Sequence, residues 1–486
     1  MRGVVAGGHP ETVAAAVQAL RAGGNAYDAA VAAGFAAAVA EPGLTSLAGG
    51  GFLLAHTAGG DEVLFDFFVD TPGRGLPSGE LEPDFTPVTI RFGAADQVFN
   101  VGAGSVAAPG CLAGYLHVHR RLGRLEVGEV VGPARRLAAQ GVALGANQVA
   151  VVRLLEPIFT LRDEGRARYT RDGAVVAPDT PVRNEPLAAF LDEVAEGRID
   201  GFGHPPLAAA IDAQMRRDGG LLTAADLAAY RVVERDPLRA GYRGGLIATN
   251  PPPSFGGVLV THALELLEVA GPAAPFGTGE HLVALADVLE RVTRRHVDTG
   301  PASRKGTTHI SICDAEGNVA SMTTSNGSCS GVFLADTGIM ANNIMGEEDL
   351  HPGGFHAEPP GLRVGSMMAP SVLLRQDGPP VAVGSGGSER IRSALTQVIA
   401  NLVDHGMSLQ EAVDAPRVHW DGRTVQVEPG FDPRAVDALR QVRPVNEWTV
   451  SDLYFGGVHA ASPSGERAGD VRRGGCTVVV DGHDDR

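Results

Sequence analysis

Basic charge is scarce in this chain. Its 486 residues carry 40 Lys+Arg against 57 Asp+Glu, a net charge of −17. A single lysine, Lys305, stands among the arginines. With Ala and Gly so abundant, that scarcity reads as genomic composition bias. A net negative chain is a poor partner for polyanions, which argues against nucleic acid and anionic membrane surfaces. Cysteine is also sparse: Cys111, Cys313, Cys329 and Cys476 are scattered, with no CxxC. That argues against a metal ribbon or disulfide scaffold and suits a reducing compartment. Aromatics are only 5%, but hydrophobic residues reach 44%, enough for an ordinary globular core rather than a disordered chain. Long apolar runs are missing. The most apolar stretch, Ala29 to Ala40, is bounded by Asp28 and Glu41 and is too short to span a bilayer. No basic-then-apolar leader precedes the first turn, so the expected location is cytoplasmic, unless an upstream start has been lost.

What is present alternates between helices and hairpins. Residues 10–22 and 26–41 read as two helices separated by Gly23-Gly24-Asn25, with Pro42 ending the second. A turn at Ala48-Gly49-Gly50-Gly51 leads to strands at 52–56 and 63–69. Further helices are expected at 109–124, 281–296 and 388–405. Strands are expected at 364–384 around Asp377-Gly378, near 452–460, and at 476–480. Pro- and Gly-rich linkers are expected at 72–88, 250–257 and 350–362. Helices beside antiparallel hairpins imply an α+β fold.

The segment with chemical content is TTHISICDAEGNVASMTTSNGSCSG. Ile310 and Ile312 alternate with Ser311, the period of a half-buried strand. Asp314 to Asn318 is turn chemistry, and Val319 to Ser325 reads as the returning strand. If the chain were cut before Thr307, that residue would own a hydroxyl and a free α-amine. An α-amine titrates near neutral pH, so it can take the hydroxyl proton as general base. The plainer reading is that a Thr-Thr pair at a strand start reflects β-propensity alone.

The opening VVAGGHPETVAAAVQALRAGGNAYDAAVAAGFAAAVAEPGLTSLAGGGF, then APGCLAGYLHVHRRLG, TTHISICDAEGNVASMTTSN, TGIMANNIMGEEDL, MMAPSVLL, VGSGGSERI, AVDAPRVHW, LYFGGVHAA and DVRRGG together resemble the γ-glutamyltransferase (glutathione hydrolase) family of N-terminal nucleophile hydrolases. The resemblance covers almost the whole chain. It implies a four-layer αββα sandwich and a precursor that cuts itself between Gly306 and Thr307. Residues 1–306 would form the large subunit and 307–486 the small one, paired within one fold. It implies hydrolysis or transfer of a γ-glutamyl group from glutathione-like amides to water or an amino-acid or peptide acceptor, through an acyl-enzyme on Thr307. No cofactor or metal is implied.

The same resemblance assigns roles. Ser325 stands where the family usually has a second threonine that hydrogen-bonds the nucleophile's amine, and it keeps the hydroxyl. Gly386, Gly387 and Ser388 precede a helix and are expected to supply the oxyanion donors, with a register uncertain by one. Arg74 is the candidate for the donor's α-carboxylate, with Ser366 beside it. Glu347 stands where an aspartate commonly takes the α-ammonium, and Asn342 and Asn343 shape that loop. Three departures alter the donor pocket: Met367 replaces a serine, Glu347 is one methylene longer than aspartate, and Ile344 is apolar. The segment between Glu348 and Arg363 is short, so an open pocket is expected. Substrate preference therefore extends from γ-glutamyl amides to another carboxyl-bearing amide, such as a cephalosporin side chain or oxamate. An unprocessed, non-enzymatic homologue is the remaining reading.

Three signals are discounted. Gly327-Ser328-Cys329-Ser330-Gly331 mimics a GxCxG elbow, but β-like sequence follows it where an elbow needs a helix. His117 and His119 do not share a helix face and read as surface histidines. Gly49-Gly50-Gly51 lacks the Lys-Ser/Thr of a phosphate loop.

Overall fold

The computed structural model describes residues 1–77, 84–92, 95–295, 306–351 and 353–482. Lys305 lies outside them. The strands of the two large sheets are, in chain order, β1 (Gly3–Gly7), β2 (Gly50–His56), β3 (Glu62–Phe67), β4 (Val233–Arg235), β5 (Leu238–Tyr242), β6 (Gly245–Thr249), β7 (Gly306–Asp314), β8 (Val319–Gly327), β9 (Ser371–Leu374), β10 (Val381–Gly386), β11 (Gly457–Ala461), β12 (Arg467–Gly469) and β13 (Cys476–Val480). Among the described residues the first sheet runs β4-β3-β2-β8-β7-β1-β13 and the second β5-β6-β9-β10-β11-β12. Every neighbouring pair in both is antiparallel. The fold is mixed α+β, as the alternation of helices and hairpins implies.

The sheets pack face to face through β7 and β8 against β10 and β11. Outside the first sheet lie α1 (Pro10–Arg21), α2 (Ala26–Ala40) and α3 (Cys111–Leu122). The short helix α4 (Gly145–Leu154) follows in the same half of the chain. Outside the second sheet lie α5 (Gly256–Val269) and α6 (Arg390–Val403). Local chemistry explains the first helix pair. His9 caps α1 through its side chain, and Asn25 with Asp28 forms a capping box on α2. Apolar all round, α2 is buried along nearly its whole length. It ends at the buried Glu41.

Alternation along β7 sends its side chains to two environments. Ile310 and Ile312 join the core under the first helical layer. His309, Ser311 and Cys313 face the second sheet, where Ser311 Oγ donates to the His459 carbonyl and Cys313 Sγ to the Ala461 carbonyl. His309 shares hydrogen bonds with Thr323 and Ser311. A Cβ on Gly384 would lie 2.2 Å from its ring.

Some expectations need correction. The strand expected near 452–460 begins only at Gly457, after the 3-10 turn Leu453–Phe455. Asp452 caps that turn, and Gly456 at φ +80° turns the chain out of it. The end of the linker expected at 72–88 is instead strand, since Thr86–Phe92 pairs with Ala95–Val101. Helices at Val127–Gln140, Glu185–Ala195 and Pro205–Asp218 were not foreseen.

Two histidines are buried between the sheets, and burial lowers both titrations. His309 falls well below its ordinary value, with His459 adding to the effect. His459 is pushed down to about 4, mainly by burial, with Arg473 and Arg417 adding to it against the opposing pull of Asp470. The unfolded chain therefore binds more protons than the folded chain below the ordinary histidine value of 6.5. Stability is full above that value and declines as pH falls toward 4. His459 alone should account for a loss of about 3 kcal/mol by pH 4. Thermal unfolding midpoints between pH 7.5 and 4.5 check this. A midpoint that stays flat or rises on acidification would contradict it.

Candidate active site

Thr307 sits at the second residue of β7, in the middle of the first sheet. The β7–β8 register shifts between Gly306 and Thr308. Gly306 pairs with Gly327 and Thr308 with Thr324, so Ser325 and Asn326 both oppose Thr307. Such a bulge re-aims side chains next to it. Here it brings Ser325 Oγ onto the Gly306 carbonyl as a donor at 2.5 Å. Thr307 Oγ1 donates toward Ser325 Oγ at 3.4 Å, and the Gly327 N–H donates to Ser325 Oγ at 3.0 Å. Ser325 is buried, not a surface strand serine. The hydroxyl of Thr307, the carbonyl before it and a donor to that carbonyl thus form one group.

Gly306 has no room for a side chain. A Cβ there would lie 2.1 Å from the Gly43 carbonyl oxygen and 2.7 Å from that of Gly327, both fixed backbone. Gly306→Ala is expected to displace the junction from Ser325 and to leave the chain whole. Intact mass after days at neutral pH checks this, and a two-chain product would contradict it.

The second sheet supplies the other wall. A Cβ on Gly386, the last residue of β10, would lie 2.2 Å from the Thr307 carbonyl oxygen. Gly387 (φ +130°) and Ser388 (φ +55°) then turn the chain into α6. Among the described residues no protein acceptor takes the N–H of Gly387 or of Ser388. Two N–H donors on buried residues, directly after the Gly386 that abuts the Thr307 carbonyl, are available to a developing oxyanion. Arg473 Nη1 reaches the Thr307 carbonyl at 3.4 Å, and its Nη2 reaches the Leu453 carbonyl at 3.3 Å. Next to Thr307 in the chain, Thr308 Oγ1 donates at 2.7 Å to the fully buried Glu41, which also accepts from Thr12 Oγ1 at 2.6 Å.

Sequence reasoning named neither Glu41 nor Arg473 for this site. Glu41 registered only as the end of an apolar helix. Arg473 lay inside a quoted motif without a role. Their partners stand 267 and 166 residues away in the chain, so no local spacing could announce them.

The donor-side residues divide. Glu347 joins the group: a Cβ on Gly327 would lie 2.7 Å from Glu347 Oε1, 2.3 Å from Asn343 Oδ1 and 3.2 Å from Ile344 Cδ1. Asn343 Oδ1 accepts the Ser328 N–H, while Asn342 ties Ala48 to Ala107. Ser366 uses its hydroxyl to accept the Met368 N–H. Its carbonyl accepts from Ser254 and Phe255. Arg74 stands elsewhere. Its backbone N–H donates to Asp226, its guanidinium is 4.0 Å from the same carboxylate, and it packs at Gly361. No described contact links it to Thr307. Phe68 lies against Gly50, the strand partner of Ser325. Phe68, Ile344 and Met367 belong to one apolar cluster.

Cys329 is buried, with its Sγ toward the Pro42 carbonyl, and burial pushes the thiol up to about 12. A thiol held protonated is no nucleophile. His117 pairs with Glu234, whereas His119 meets the Leu125 carbonyl and is largely buried rather than on the surface.

The family model described as Gamma-glutamyltranspeptidase matches residues 12–295 and 284–476. The chain belongs to the gamma-glutamyltranspeptidase family. Within it, the chain is 33% identical to the Acylase ACY 1 proenzyme of Pseudomonas sp. (strain SE83), over 99% of this chain and 94% of that one. It is 26% identical to the Glutathione hydrolase proenzyme of Escherichia coli (strain K12), over 90% of this chain and 84% of that one. Among solved structures, the cephalosporin acylase from Bacillus halodurans superposes with a TM-score of 0.81 at 25% identity, covering 99% of this chain and 96% of that one. Family members of two names, acylase and glutathione hydrolase, are thus similar to this chain along most of its length.

Proposed function

We propose that this chain is a self-processing N-terminal-threonine amidohydrolase of the gamma-glutamyltranspeptidase family, acting as an acylase on amides with a predominantly apolar acyl chain. The observation that carries the processing step is Ser325 Oγ at 2.5 Å from the Gly306 carbonyl, beside the Thr307 hydroxyl. Thr307 Oγ attacks the Gly306 carbonyl carbon, and the oxyanion is held by Ser325. The Thr307 nitrogen leaves as an amine, and water hydrolyses the resulting ester. Residues 1–306 and 307–486 then remain interleaved, because β7 and β8 lie between β1 and β2 in the same sheet. Two facing antiparallel sheets with helices outside each support the reading of an αββα sandwich of the N-terminal nucleophile hydrolase type. The names of the relatives, both called proenzymes, support the same reading.

The freed α-amine takes the Thr307 hydroxyl proton as Oγ attacks the substrate amide. The Gly387 and Ser388 N–H groups hold the oxyanion, and the α-ammonium returns the proton to the leaving amine. Water releases the acyl group from the Thr307 ester. Apolar Phe68, Ile344 and Met367 on the acyl side favour an acylase, as does the 33% identity to an acylase. Glu347 beside Gly327 favours a second reading, a γ-glutamyl donor whose α-ammonium meets that carboxylate. Comparing kcat/KM for glutaryl-, aliphatic acyl- and γ-glutamyl-p-nitroanilide tests the choice. Preference for either of the first two supports the acylase. Preference for the γ-glutamyl anilide overturns it in favour of the second reading. The proposed location, the cytoplasm, is checked by fractionation.

A further inference from the structure

The first turn of α6 carries a charge that its surroundings do not balance. Arg390 and Arg392 are 0% and 1% exposed, and that turn holds no acidic residue. A helix N-terminus has positive partial charge, so it disfavours cations and favours anions. Glu389 lies 3.8 Å from Arg392. Among the described residues no carboxylate forms an ion pair with Arg390. Its Nε donates to the Tyr454 carbonyl at 3.1 Å, and the guanidinium lies over the Tyr454 ring, 4.9 Å from the centroid. Both its Nη groups are buried with no hydrogen-bond partner, as is Arg392 Nε. Burial pulls Arg390 below its ordinary titration against the opposing pull of Tyr454, Glu389, Asp349 and Asp452.

His419 stands beside this group, its ring 5.9 Å from that of Tyr454. It is 1% exposed. Its Nδ1 is 2.7 Å from Ser393 Oγ, one helical turn after Arg390, and its Nε2 is buried without a partner. A buried cation without a counter-charge costs far more than a buried neutral group, and orphaned buried donors call for a bound partner. We infer that the start of α6 is a binding site for a small monovalent anion such as chloride, held by Arg390 Nη1 and Nη2 with His419 Nε2 beside them. Side chains so fully buried suit an ion of atomic size, and one negative charge balances the one guanidinium left without a carboxylate. The place in the fold gives the ion a role. Ser388, one of the two residues whose N–H groups are open to an oxyanion, precedes Arg390 by two positions, and the Arg390 N–H donates to the Gly387 carbonyl at 3.2 Å. An anion that fixes the start of α6 also fixes the turn that presents those donors.

The test dialyses the protein into sodium gluconate and replaces gluconate with chloride or bromide at constant ionic strength. The thermal midpoint should rise by about 3 °C at about a hundredfold excess of halide over its Kd. Arg390→Met removes the charge and the Nη donors while keeping an unbranched side chain, and it should lose the response to halide. If that variant does not fold, crystals of the unmodified protein soaked in bromide decide the matter. An anomalous peak within hydrogen-bonding distance of the Arg390 Nη groups is expected. A midpoint indifferent to the halide, an undiminished response in Arg390→Met, or bromide on the protein surface only would overturn the site. These readouts need no turnover, so they stand or fall apart from the proposal that Thr307 is the nucleophile. Amide cleavage should rise with the same half-saturating halide concentration as the midpoint. A midpoint that rises while cleavage stays constant supports the site and overturns its hold on the Gly387-Ser388 turn.

Discussion

Thr307→Ala is expected to purify as a single uncut chain and to show no amide hydrolysis above background. The substitution removes the hydroxyl proposed to attack the Gly306 carbonyl while leaving that carbonyl on Ser325. Alanine lacks both the hydroxyl and the γ-methyl of threonine, a loss of two atoms at a buried position within a sheet whose backbone pairing is unchanged, so the fold should survive. Losing a nucleophile costs on the order of 10⁴- to 10⁶-fold in related acyl-transfer machinery. Thr307→Ser separates chemistry from packing. It keeps the hydroxyl, so it should still cut and turn over, more slowly because the β-methyl no longer fixes χ1. The measurements are intact mass for the cut and release of p-nitroaniline for turnover. A Thr307→Ala protein that still matures to two chains would end the N-terminal threonine mechanism.

The parts of this site that sequence could show are those built from short stretches. The β7–β8 hairpin is legible because period-2 alternation flanks Asp314 to Asn318, and the turn at Gly386-Gly387 because glycines precede a helical pattern. Helices α1 and α2 announce themselves through the stop and restart at Gly23-Gly24-Asn25 and through Pro42. What stayed hidden is what the tertiary fold assembles. Glu41 becomes a partner of Thr308 only once α2 packs on β7. Arg74 has partners that the sequence did not announce. A lone arginine after Thr-Pro-Gly looked free to bind a carboxylate, but Asp226, 152 residues later, already takes its backbone N–H and faces its guanidinium.

Ser325→Ala is expected to slow self-cutting by about 10²- to 10³-fold, the usual effect of removing one oxyanion donor. In the uncut chain its hydroxyl does two things at once. It donates to the Gly306 carbonyl at 2.5 Å and accepts the Gly327 N–H at 3.0 Å. The first contact strengthens as the carbonyl oxygen gains charge, so its loss appears in the rate. The second is equal in ground and transition states, so its loss appears as about 1–3 kcal/mol of stability. The two are separable: the cutting half-life by intact mass reports the first, and the thermal midpoint the second. After the cut the carbonyl is gone and the Thr307 amine stands near Ser325, so the slowly matured variant should lose less in kcat than it lost in cutting rate. Ser325→Thr retains the hydroxyl and should recover most of the cutting rate. If Ser325→Ala cuts as fast as the unmodified chain, the donor to the Gly306 carbonyl lies elsewhere, and the neighbouring guanidinium of Arg473 would be the next group to replace.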